Sequence, residues 1–381
     1  MIYFDNASTS KPLGETINNI NSYLTEKWLN PSSLFSKSQE IKSEINKVRK
    51  LVAKTINSNN DEIFFTSGGS ESNCWAIQGF VNHCLKNNKK PMVITSNIEH
   101  KSIIECVKSS IADFCFIEVD NNGLINVQKL EEVLSVSRAI DYEILVSVQY
   151  VNNEIGTIQN IKELARLSHR YGAVFHTDAV QAFGKIPIDV KDLNVDLLSV
   201  SGHKINGLKG TGVLYKKKGV DINPLIYGTQ ENSMRGGTEN VIGIISLYAT
   251  INNLDFDNRN IETFYKDFTN ILINDFNCKI NGANYSSHLP YIINITFQNN
   301  ISSEALVYLL ELSGIYVSTG SACNSHSNEP SYVLKAIGLS DEECMKTIRI
   351  SFEKEKITNL YTKMYKFIDE LKTAIKLLET S

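Results

Sequence analysis

The sequence predicts an α/β protein with a large, mostly parallel β-sheet covered by helices on both faces, and a smaller α+β domain. Two observations predict this fold class. Between residues 63 and 200, six short runs rich in β-forming residues alternate with other segments, several of them amphipathic. After about residue 254 this regular alternation stops. Because parallel strands need long crossover connections, usually helices, the alternation indicates βαβ units.

A helix is predicted ahead of the sheet, because Ile41, Ile45, Val48, Val52 and Ile56 recur at helical spacing and form one apolar stripe. The strands of the sheet are predicted from short runs of apolar and β-branched residues. These runs are Ile63–Thr66, Met92–Thr95, Phe114–Val119, Ile144–Val148, Ala173–His176 and Leu197–Val200.

The smaller domain is predicted from a sparser set of elements near the C-terminal end. They are a helix near Thr263–Phe276, a strand at Tyr291–Phe297, a helix near Glu304–Leu312, a strand at Ile348–Phe352 and a last helix with an apolar stripe. The chain has 381 residues, enough for about two domains at roughly 100–200 residues each. We predict a large domain at residues 15–254 and a small domain made of residues 1–14 with 255–381.

Composition narrows the classes of partner. Hydrophobic residues make up 42% and charged residues 21% of the chain, which is typical of a packed, water-soluble protein. The net charge is -4, so the chain lacks the basic excess of a nucleic-acid-binding protein. No apolar run reaches the roughly 18 residues that span a bilayer, and the N-terminal residues lack a secretory pattern. We therefore expect a cytoplasmic protein that binds neither nucleic acid nor membrane.

The seven cysteines form neither CxxC pairs nor an even set. In the cytoplasm they are expected to stay reduced. They are Cys74, Cys84, Cys106, Cys115, Cys278, Cys323 and Cys344.

Polar residues directly after predicted strands are the first candidates for a site, because ligands of open α/β sheets bind beyond the carboxyl ends of the strands. After one strand, Gly68, Gly69 and Ser70 lead into a predicted helix. Their backbone N–H groups could cradle a phosphate, although a glycine-rich segment of this kind is by itself more often a simple turn. Asp178 follows another strand, where it could hold a protonated heterocyclic nitrogen or cap a helix.

Lys204 and Cys323 are the candidate nucleophiles. Lys204 follows a buried strand among small residues, and an imine-forming lysine needs the depressed pKa that burial can produce. Cys323 lies among Gly, Ser and Ala residues that give its thiol little apolar cover, although a free cysteine is often a small buried hydrophobe. A phosphate cradle, an aspartate and a lysine on one sheet predict a pyridoxal 5'-phosphate (PLP) site. No His and Cys pair has zinc-ligand spacing, so no metal is predicted.

Two motifs and a long match carry a resemblance to a known family. The motifs are Ser201-Gly202-His203-Lys204 and Gly320-Ser321-Ala322-Cys323, and the match runs from Tyr3-Phe4-Asp5-Asn6-Ala7-Ser8-Thr9 to Ile348-Arg349-Ile350-Ser351. The sequence resembles the NifS/IscS-like cysteine desulfurases of the class V aminotransferase superfamily, which have PLP fold type I. The segment around Cys323 is similar to the group whose cysteine lies on a long mobile loop.

The resemblance assigns residues to PLP. It implies that Lys204 is the Schiff-base lysine, that Asp178 holds the pyridine nitrogen and that Gln181 lies near the ring hydroxyl. His100 is implied to stack on the cofactor ring, and it is a candidate base for Cys323. The implied phosphate ligands are Gly69, Ser70, Ser201, His203 and, from the other subunit of a homodimer, Thr238.

The resemblance also implies a reaction. Asn153 and Arg349 would hold the carboxylate of L-cysteine, and Cys323 would take its sulfur as a persulfide while L-alanine leaves. An acceptor protein, such as an iron–sulfur scaffold or a thiolation enzyme, would then receive the sulfur. A related PLP enzyme of class V, such as a selenocysteine lyase or an aminotransferase, is the alternative, as is a non-enzymatic scaffold. The related PLP enzyme would not need Cys323 as the acceptor, and a scaffold would be expected to lose site residues, whereas every matched catalytic position is filled.

The sequence departs from the family pattern at the expected pocket rim and partner surface. Leu29 and Phe35 stand where the family has glycine and histidine, and Leu208 stands where proline is usual. The segment Tyr227-Gly228-Thr229-Gln230-Glu231 is one residue short.

Overall fold

The computed structural model describes residues 1–319 and 329–379, and its strands form three sheets. The strands are β1 (Ile2–Tyr3), β2 (Ile63–Thr66), β3 (Lys90–Ser96), β4 (Asp113–Ile117), β5 (Tyr142–Gln149), β6 (Val174–Asp178), β7 (Leu197–Ser201), β8 (Gly212–Lys216), β9 (Cys278–Ile280), β10 (Ile292–Phe297), β11 (Ile315–Tyr316), β12 (Ser318–Thr319) and β13 (Thr347–Ser351).

The helices range from single turns to a C-terminal helix of 23 residues. They are α1 (Gly14–Thr25), α2 (Ser36–Thr55), α3 (Gly69–Lys86), α4 (Lys101–Lys108), α5 (Val127–Ala139), α6 (Ile161–Arg170), α7 (Val190–Leu193), α8 (Gln230–Ser233), α9 (Val241–Asn252), α10 (Arg259–Phe276), α11 (Ser303–Leu312), α12 (Tyr332–Ala336), α13 (Asp341–Met345) and α14 (Ile357–Glu379). Within residues 1–319 and 329–379, none of them is both long and apolar enough to cross a membrane.

The largest sheet has seven strands in the order β2-β8-β7-β6-β5-β3-β4. Strands β7, β6, β5, β3 and β4 pair in parallel, whereas β8 runs antiparallel to both of its neighbours. All strands except β8 therefore point in one direction, and their carboxyl ends meet at one edge. Each of the six predicted strands overlaps a strand of this sheet, and the predicted fold class is confirmed.

Helices cover both faces of this sheet. Successive side chains of a strand point to opposite faces, so neighbouring residues of one strand pack against different helices. Phe64 and Leu214 belong to one hydrophobic cluster with Trp75 of α3. Phe65 and Val213, one residue along in each strand, belong to a larger cluster with residues of α2, α5 and α6. Strands buried on both faces form continuous apolar runs, which is the pattern that predicts them in the sequence.

Strand β8 is the one strand of this sheet that the sequence patterns do not predict. It begins at Gly212, where a Cβ atom would lie 2.6 Å from the backbone of Gly68. A glycine is required at this close approach, so the strand begins without a β-forming residue. The same contact fixes the chain directly ahead of helix α3.

Two smaller sheets are built mainly from the C-terminal third of the chain. Strands β12, β13, β10 and β9 form an antiparallel sheet, and β1 pairs in parallel with β11. Phe4, directly after β1, packs against Phe268, Phe352 and Phe367 with ring centroids 5.9–6.3 Å apart. The division into residues 15–254 and 1–14 with 255–381 stays a prediction, since one hydrophobic cluster extends through both parts.

Candidate active site

A cavity of about 550 Å³ lies at the edge where the carboxyl ends of the parallel strands meet. Its walls bring together ten of the residues predicted for the site, from distant parts of the chain. These are Gly69, Ser70, His100, Asn153, Asp178, Gln181, Ser201, His203, Lys204 and Arg349. Thr238 does not line this cavity, and Cys323 lies outside the described residues.

The predicted phosphate cradle lies at the first turn of α3. Gly69 starts the helix, and a Cβ atom there would lie 2.6 Å from Cγ2 of Val180. The free N–H groups of this turn and the positive end of the helix dipole favour an anion. Glu71 lies in the same turn, and its negative charge is balanced by Arg235, which donates to it through Nε at 2.9 Å and Nη2 at 3.1 Å.

Asp178 is 2% exposed and ends strand β6 at the cavity. Its Oδ1 accepts the backbone N–H of Val180 at 2.9 Å, and its Oδ2 accepts Nδ2 of Asn73 at 2.8 Å. Asn73 also donates to Oγ of Ser102 at 3.0 Å. The carboxylate is thus fixed from two sides, and it is placed to act as the anionic partner of a cationic group in the cavity.

Lys204 extends from the 3-10 turn after β7 towards the N-terminal segment of the chain. Its Nζ donates to the carbonyl oxygens of Ala7 at 2.5 Å and Ser8 at 2.7 Å. Ala7 and Ser8 also line the cavity, so the amine is held at the wall by neutral acceptors. Two backbone carbonyl groups therefore fix the amine at the wall of the cavity.

His100 is the N-cap of α4, and its Nδ1 accepts the backbone N–H of Ser102 at 3.1 Å. Since Nδ1 is the acceptor, the proton of the neutral ring lies on Nε2. Burial, with nearby Lys204 and Lys101, outweighs Asp178 and lowers the pKa of His100. The geometry therefore gives His100 a hydrogen-bond donor at Nε2, and its role as a base for Cys323 stays a prediction.

His203 and Gln181 hold the floor of the cavity through contacts to the N-terminal segment. His203 Nδ1 lies 3.0 Å from Oγ1 of Thr9, and burial together with Lys204 lowers the pKa of His203 to about 4. A neutral His203 keeps one N–H for an anion near neutral pH. Gln181 donates to the Ala7 carbonyl at 2.8 Å and accepts Nζ of Lys185 at 2.7 Å.

Arg349 is 3% exposed and lies on strand β13. Nη1 donates to the Asn153 carbonyl at 3.0 Å, and Nη2 donates to Asp5 at 2.6 Å and to Ser8 at 2.8 Å. Its Nε is buried and has no hydrogen-bond partner among the described residues. A buried donor without a partner is costly, which indicates that a ligand acceptor belongs at this position.

Thr238 is exposed on a segment that Arg235 anchors to α3. The segment follows α8, where Glu231, Asn232 and Ser233 are in the left-handed region with φ of 48°, 57° and 64°. Three successive non-glycine residues in this region cost roughly 1–2 kcal/mol each. Arg49 holds the turn through a bidentate pair with Glu231, with both N–O distances 2.7 Å.

Comparisons with known proteins were made at the level of family, sequence and fold. The sequence matches the family described as Aminotransferase class-V over residues 2–358. This chain belongs to that family.

Two proteins that are similar to this chain in sequence carry the same name. The chain is 40% identical over 359 residues to "Cysteine desulfurase IscS" of Methanosarcina thermophila, covering 92% of this chain and 86% of the relative. It is 38% identical over 387 residues to "Cysteine desulfurase IscS" of Dictyoglomus turgidum, covering 98% of this chain and 95% of the relative.

Two solved structures of similar fold extend the comparison. The class-V chain superposes on "NIFS-LIKE PROTEIN" with a TM-score of 0.87, 30% identity and coverage of 98% of this chain and 99% of that chain. It superposes on "SspA in complex with cysteine" with a TM-score of 0.81, 33% identity and coverage of 92% and 99%.

Several residues of this class-V site are missed by reasoning from the sequence. Asn73 and Gln149 line the cavity, and Asp5 holds Arg349. Gln149 donates to Oδ1 of Asn153 at 3.2 Å and so orients a predicted substrate ligand. The only sequence signal for Asn73 and Gln149 is their position, since Asn73 lies one turn into helix α3 and Gln149 ends strand β5.

Asp5 is the positioning residue for Arg349 in this class-V site. Its Oδ1 accepts Nη2 of Arg349, Oγ of Ser8 at 2.9 Å and Oγ of Ser318 at 2.6 Å. Asp5→Asn keeps the shape but removes the charge that holds the guanidinium. We expect the KM for the substrate to rise about tenfold while kcat changes less, because ground-state and transition-state binding are lost together.

Steady-state kinetics of Asp5→Asn check this prediction. Asp257→Asn is the matched control, because Asp257 pairs with Arg259 at an exposed position away from the cavity. A KM for Asp5→Asn equal to that of the control would show that Arg349 does not need Asp5.

Glu99, directly before His100, is completely buried. Burial raises its pKa to about 8 from an ordinary 4.5, with Asp178 contributing, although hydrogen bonds from Ser96 and the Gln149 backbone oppose the shift. The folded protein therefore binds the Glu99 proton more tightly than the unfolded chain does. Between about pH 4.5 and 8 this makes stability fall as the pH rises.

Glu99→Gln should remove this pH dependence. The stability of the variant relative to the natural protein should increase from pH 5 to pH 9 by at least about 1 kcal/mol, because the variant no longer has to ionise a buried carboxyl group. Urea unfolding of both proteins at the two pH values measures the difference. Glu304→Gln, at an exposed position, is the control, and an equal response of the two variants would contradict the prediction.

Proposed function

We propose that this protein is a PLP-dependent cysteine desulfurase, which converts L-cysteine to L-alanine and passes the sulfur as a persulfide on Cys323 to an acceptor protein. One observation carries the proposal. A single cavity joins Lys204 and Asp178 to Arg349, whose buried Nε has no partner among the described residues. The two relatives named cysteine desulfurase, and the neighbour in complex with cysteine, support the same substrate.

The residues of the cavity fit the chemical groups of PLP. The first turn of α3, with Ser201 and neutral His203, offers donors to a phosphate. The buried carboxylate of Asp178 suits a protonated pyridine nitrogen, and Lys204 offers an amine to the aldehyde. When bound there, PLP supplies an electron sink for carbanion chemistry at the Cα atom of an amino acid.

Arg349 and Asn153 would bind the carboxylate of the substrate. Nε of Arg349 is a buried donor without a partner, and planar guanidinium groups bind carboxylates through parallel hydrogen bonds. The charge of Asp5 and the Asn153 carbonyl fix the plane of the guanidinium before the substrate arrives. The cost of ordering this side chain is therefore met during folding.

Lys204 would remove the proton from the Cα atom, because its amine lies at the wall of the same cavity as Asn153 and Arg349. The Cys323 thiolate would attack the substrate sulfur. A bond forms between the two sulfur atoms as the carbon–sulfur bond breaks, and the electron pair of the broken bond stays on carbon. Protonation of that carbon and return of a proton to the Cα atom leave L-alanine, and the sulfur stays on the enzyme as a persulfide.

The test is a product assay with purified protein, PLP and L-cysteine. L-Alanine is measured by chromatography, and the persulfide is measured by alkylation and mass spectrometry of the peptide that contains Cys323. We expect one L-alanine for each transferred sulfur. A keto acid as the main product, or turnover confined to selenocysteine, would instead identify one of the related PLP enzymes.

We propose further that the protein acts as a homodimer whose phosphate site is completed by Thr238 of the other subunit. Thr238 is exposed and lies outside the cavity of its own chain, although its segment is anchored at Glu71 beside the cradle. Thr238 would then act in trans.

Mixing Lys204→Ala subunits with Thr238→Ala subunits tests the trans arrangement. In a mixed dimer, one site has both the natural Lys204 and the natural Thr238 only if Thr238 comes from the other subunit. We expect up to about a quarter of the natural activity after random exchange, since half of the dimers are mixed and each has one intact site. Activity no higher than the sum of the separate variants would contradict the proposal.

The acceptor protein and the compartment belong to the same proposal. A persulfide must react with a thiol of the acceptor, such as an iron–sulfur scaffold or a thiolation enzyme, and this chemistry suits a reducing compartment such as the cytoplasm. The acceptor is identified by trapping proteins as mixed disulfides with Cys323 in extracts of the source cell.

A further inference from the structure

Two cysteines outside the cavity face each other between helices α3 and α4. The sulfur atoms of Cys74 on α3 and Cys106 on α4 are 3.2 Å apart. A disulfide bond is about 2.05 Å long, so the sulfurs need to approach by only about 1.2 Å. Neither residue lines the cavity of the candidate active site.

The two thiols differ in access and in acidity. Cys74 is half-buried, whereas Cys106 is 7% exposed. The thiol of Cys106 donates to the sulfur of Cys74, and this hydrogen bond lowers the pKa of Cys74 to about 7 against the opposing effects of burial and Glu71. The pKa of Cys106 is raised, first by Cys74 and then by burial. Cys74 is therefore the thiol that ionises first and that a reagent reaches first.

We propose that Cys74 and Cys106 form a reversible dithiol–disulfide site that reacts with low-molecular-weight disulfides. Cys74 is the attacking thiol and Cys106 is the resolving thiol. The site lies outside the catalytic cavity and does not depend on the function proposed above.

The reaction proceeds by two thiol–disulfide exchanges. The Cys74 thiolate attacks one sulfur of the small disulfide, which forms a mixed disulfide and releases one small thiol. The sulfur of Cys106 then attacks the Cys74 sulfur, forms the internal disulfide and releases the second small thiol. The two protein thiols lose two electrons and two protons, and the small disulfide gains both as it becomes two thiols.

The position of the site connects it with the cavity. Asn73, next to Cys74, donates to Asp178 and to Ser102, and Ser102 lies one helical turn before Cys106. The disulfide therefore links the helix that begins at Gly69 with the helix that His100 caps. Two elements that border the cavity become covalently joined close to Asp178.

Glutathione disulfide is the probe, applied to the purified protein with PLP bound. After the reaction, free thiols are alkylated and the protein is digested and analysed by mass spectrometry. We expect one peptide pair joined through Cys74 and Cys106, the loss of two alkylated thiols at these positions, and recovery of both after reduction. If both thiols are still fully alkylated and no joined peptide is found, the proposal is overturned.

Single variants distinguish the two roles. Cys106→Ser should stop the reaction at a glutathione adduct on Cys74, and Cys74→Ser should leave Cys106 without an adduct. Cys84→Ser, on the same helix α3, is the matched control and should form the joined peptide as the natural protein does. A stable glutathione adduct on Cys74 of the natural protein, with Cys106 still free, would overturn the resolving role of Cys106.

Discussion

Cys323→Ser is expected to abolish formation of L-alanine and of the persulfide, while PLP and L-cysteine still bind. The expected loss of kcat is at least about 10³-fold, because removal of a catalytic nucleophile removes the covalent route as a whole. PLP binding should survive, since the residues of the cavity wall that fit the cofactor are unchanged in this variant.

Absorption spectra measure the binding of PLP and of L-cysteine separately from the product assay. The visible band of bound PLP should be retained in Cys323→Ser and should still change when L-cysteine is added. Cys115→Ser is the control, because Cys115 is a half-buried thiol on strand β4 that does not line the cavity. Turnover of L-cysteine by Cys323→Ser at the natural rate would exclude the persulfide mechanism, although the PLP site could remain correct.

Lys204→Ala is expected to remove both the covalent link to PLP and the base for the Cα proton. We expect activity to fall by at least about 10³-fold, because two roles that one amine performs are lost together. Reduction of the natural protein with borohydride should fix PLP to the peptide that contains Lys204, and the variant should lose this label. Mass spectrometry of the digested protein measures the label directly.

Lys185 provides a strict control for Lys204, because its amine is also unusual. Burial, followed by the positive charges of Lys204 and Arg349, lowers the pKa of Lys185 to about 7. However, Lys185 donates to Gln181 and does not line the cavity, whereas Lys204 does. Lys185→Arg should therefore keep the PLP label on Lys204. A label on Lys185 in the natural protein would reassign the cofactor.

The elements of the large sheet follow from local patterns, with one instructive exception. Strands such as β2 and β7 consist of apolar residues because both of their faces are buried, and this makes them visible in the sequence. Strand β8 is absent from the predicted runs although Val213, Leu214 and Tyr215 are buried and β-forming, and its first residue, Gly212, is dictated by the approach of Gly68 from a distant part of the chain. Local patterns cannot show a requirement that arises from backbone packing.

The residues of the candidate site also fall into those that local patterns predict and those that they do not. Asp178 and Lys204 are predictable, because each follows a strand at the edge where ligands of parallel sheets bind. Asp5, Asn73 and Glu99 have no comparable signal. Their roles come from contacts across the fold, such as the hydrogen bonds from Asn73 to Asp178 and from Arg349 to Asp5.

What the sequence by itself determined is six strands of the large sheet, the chemical groups at the strand ends and the resemblance to a family. The hydrophobic periodicity and the motif residues carry this information locally. Only the tertiary structure decided that Asp5 holds Arg349, that burial shifts the pKa of Glu99, and that Cys74 meets Cys106. Distances between residues far apart in the chain, and the exclusion of water around them, arise only when the elements pack together.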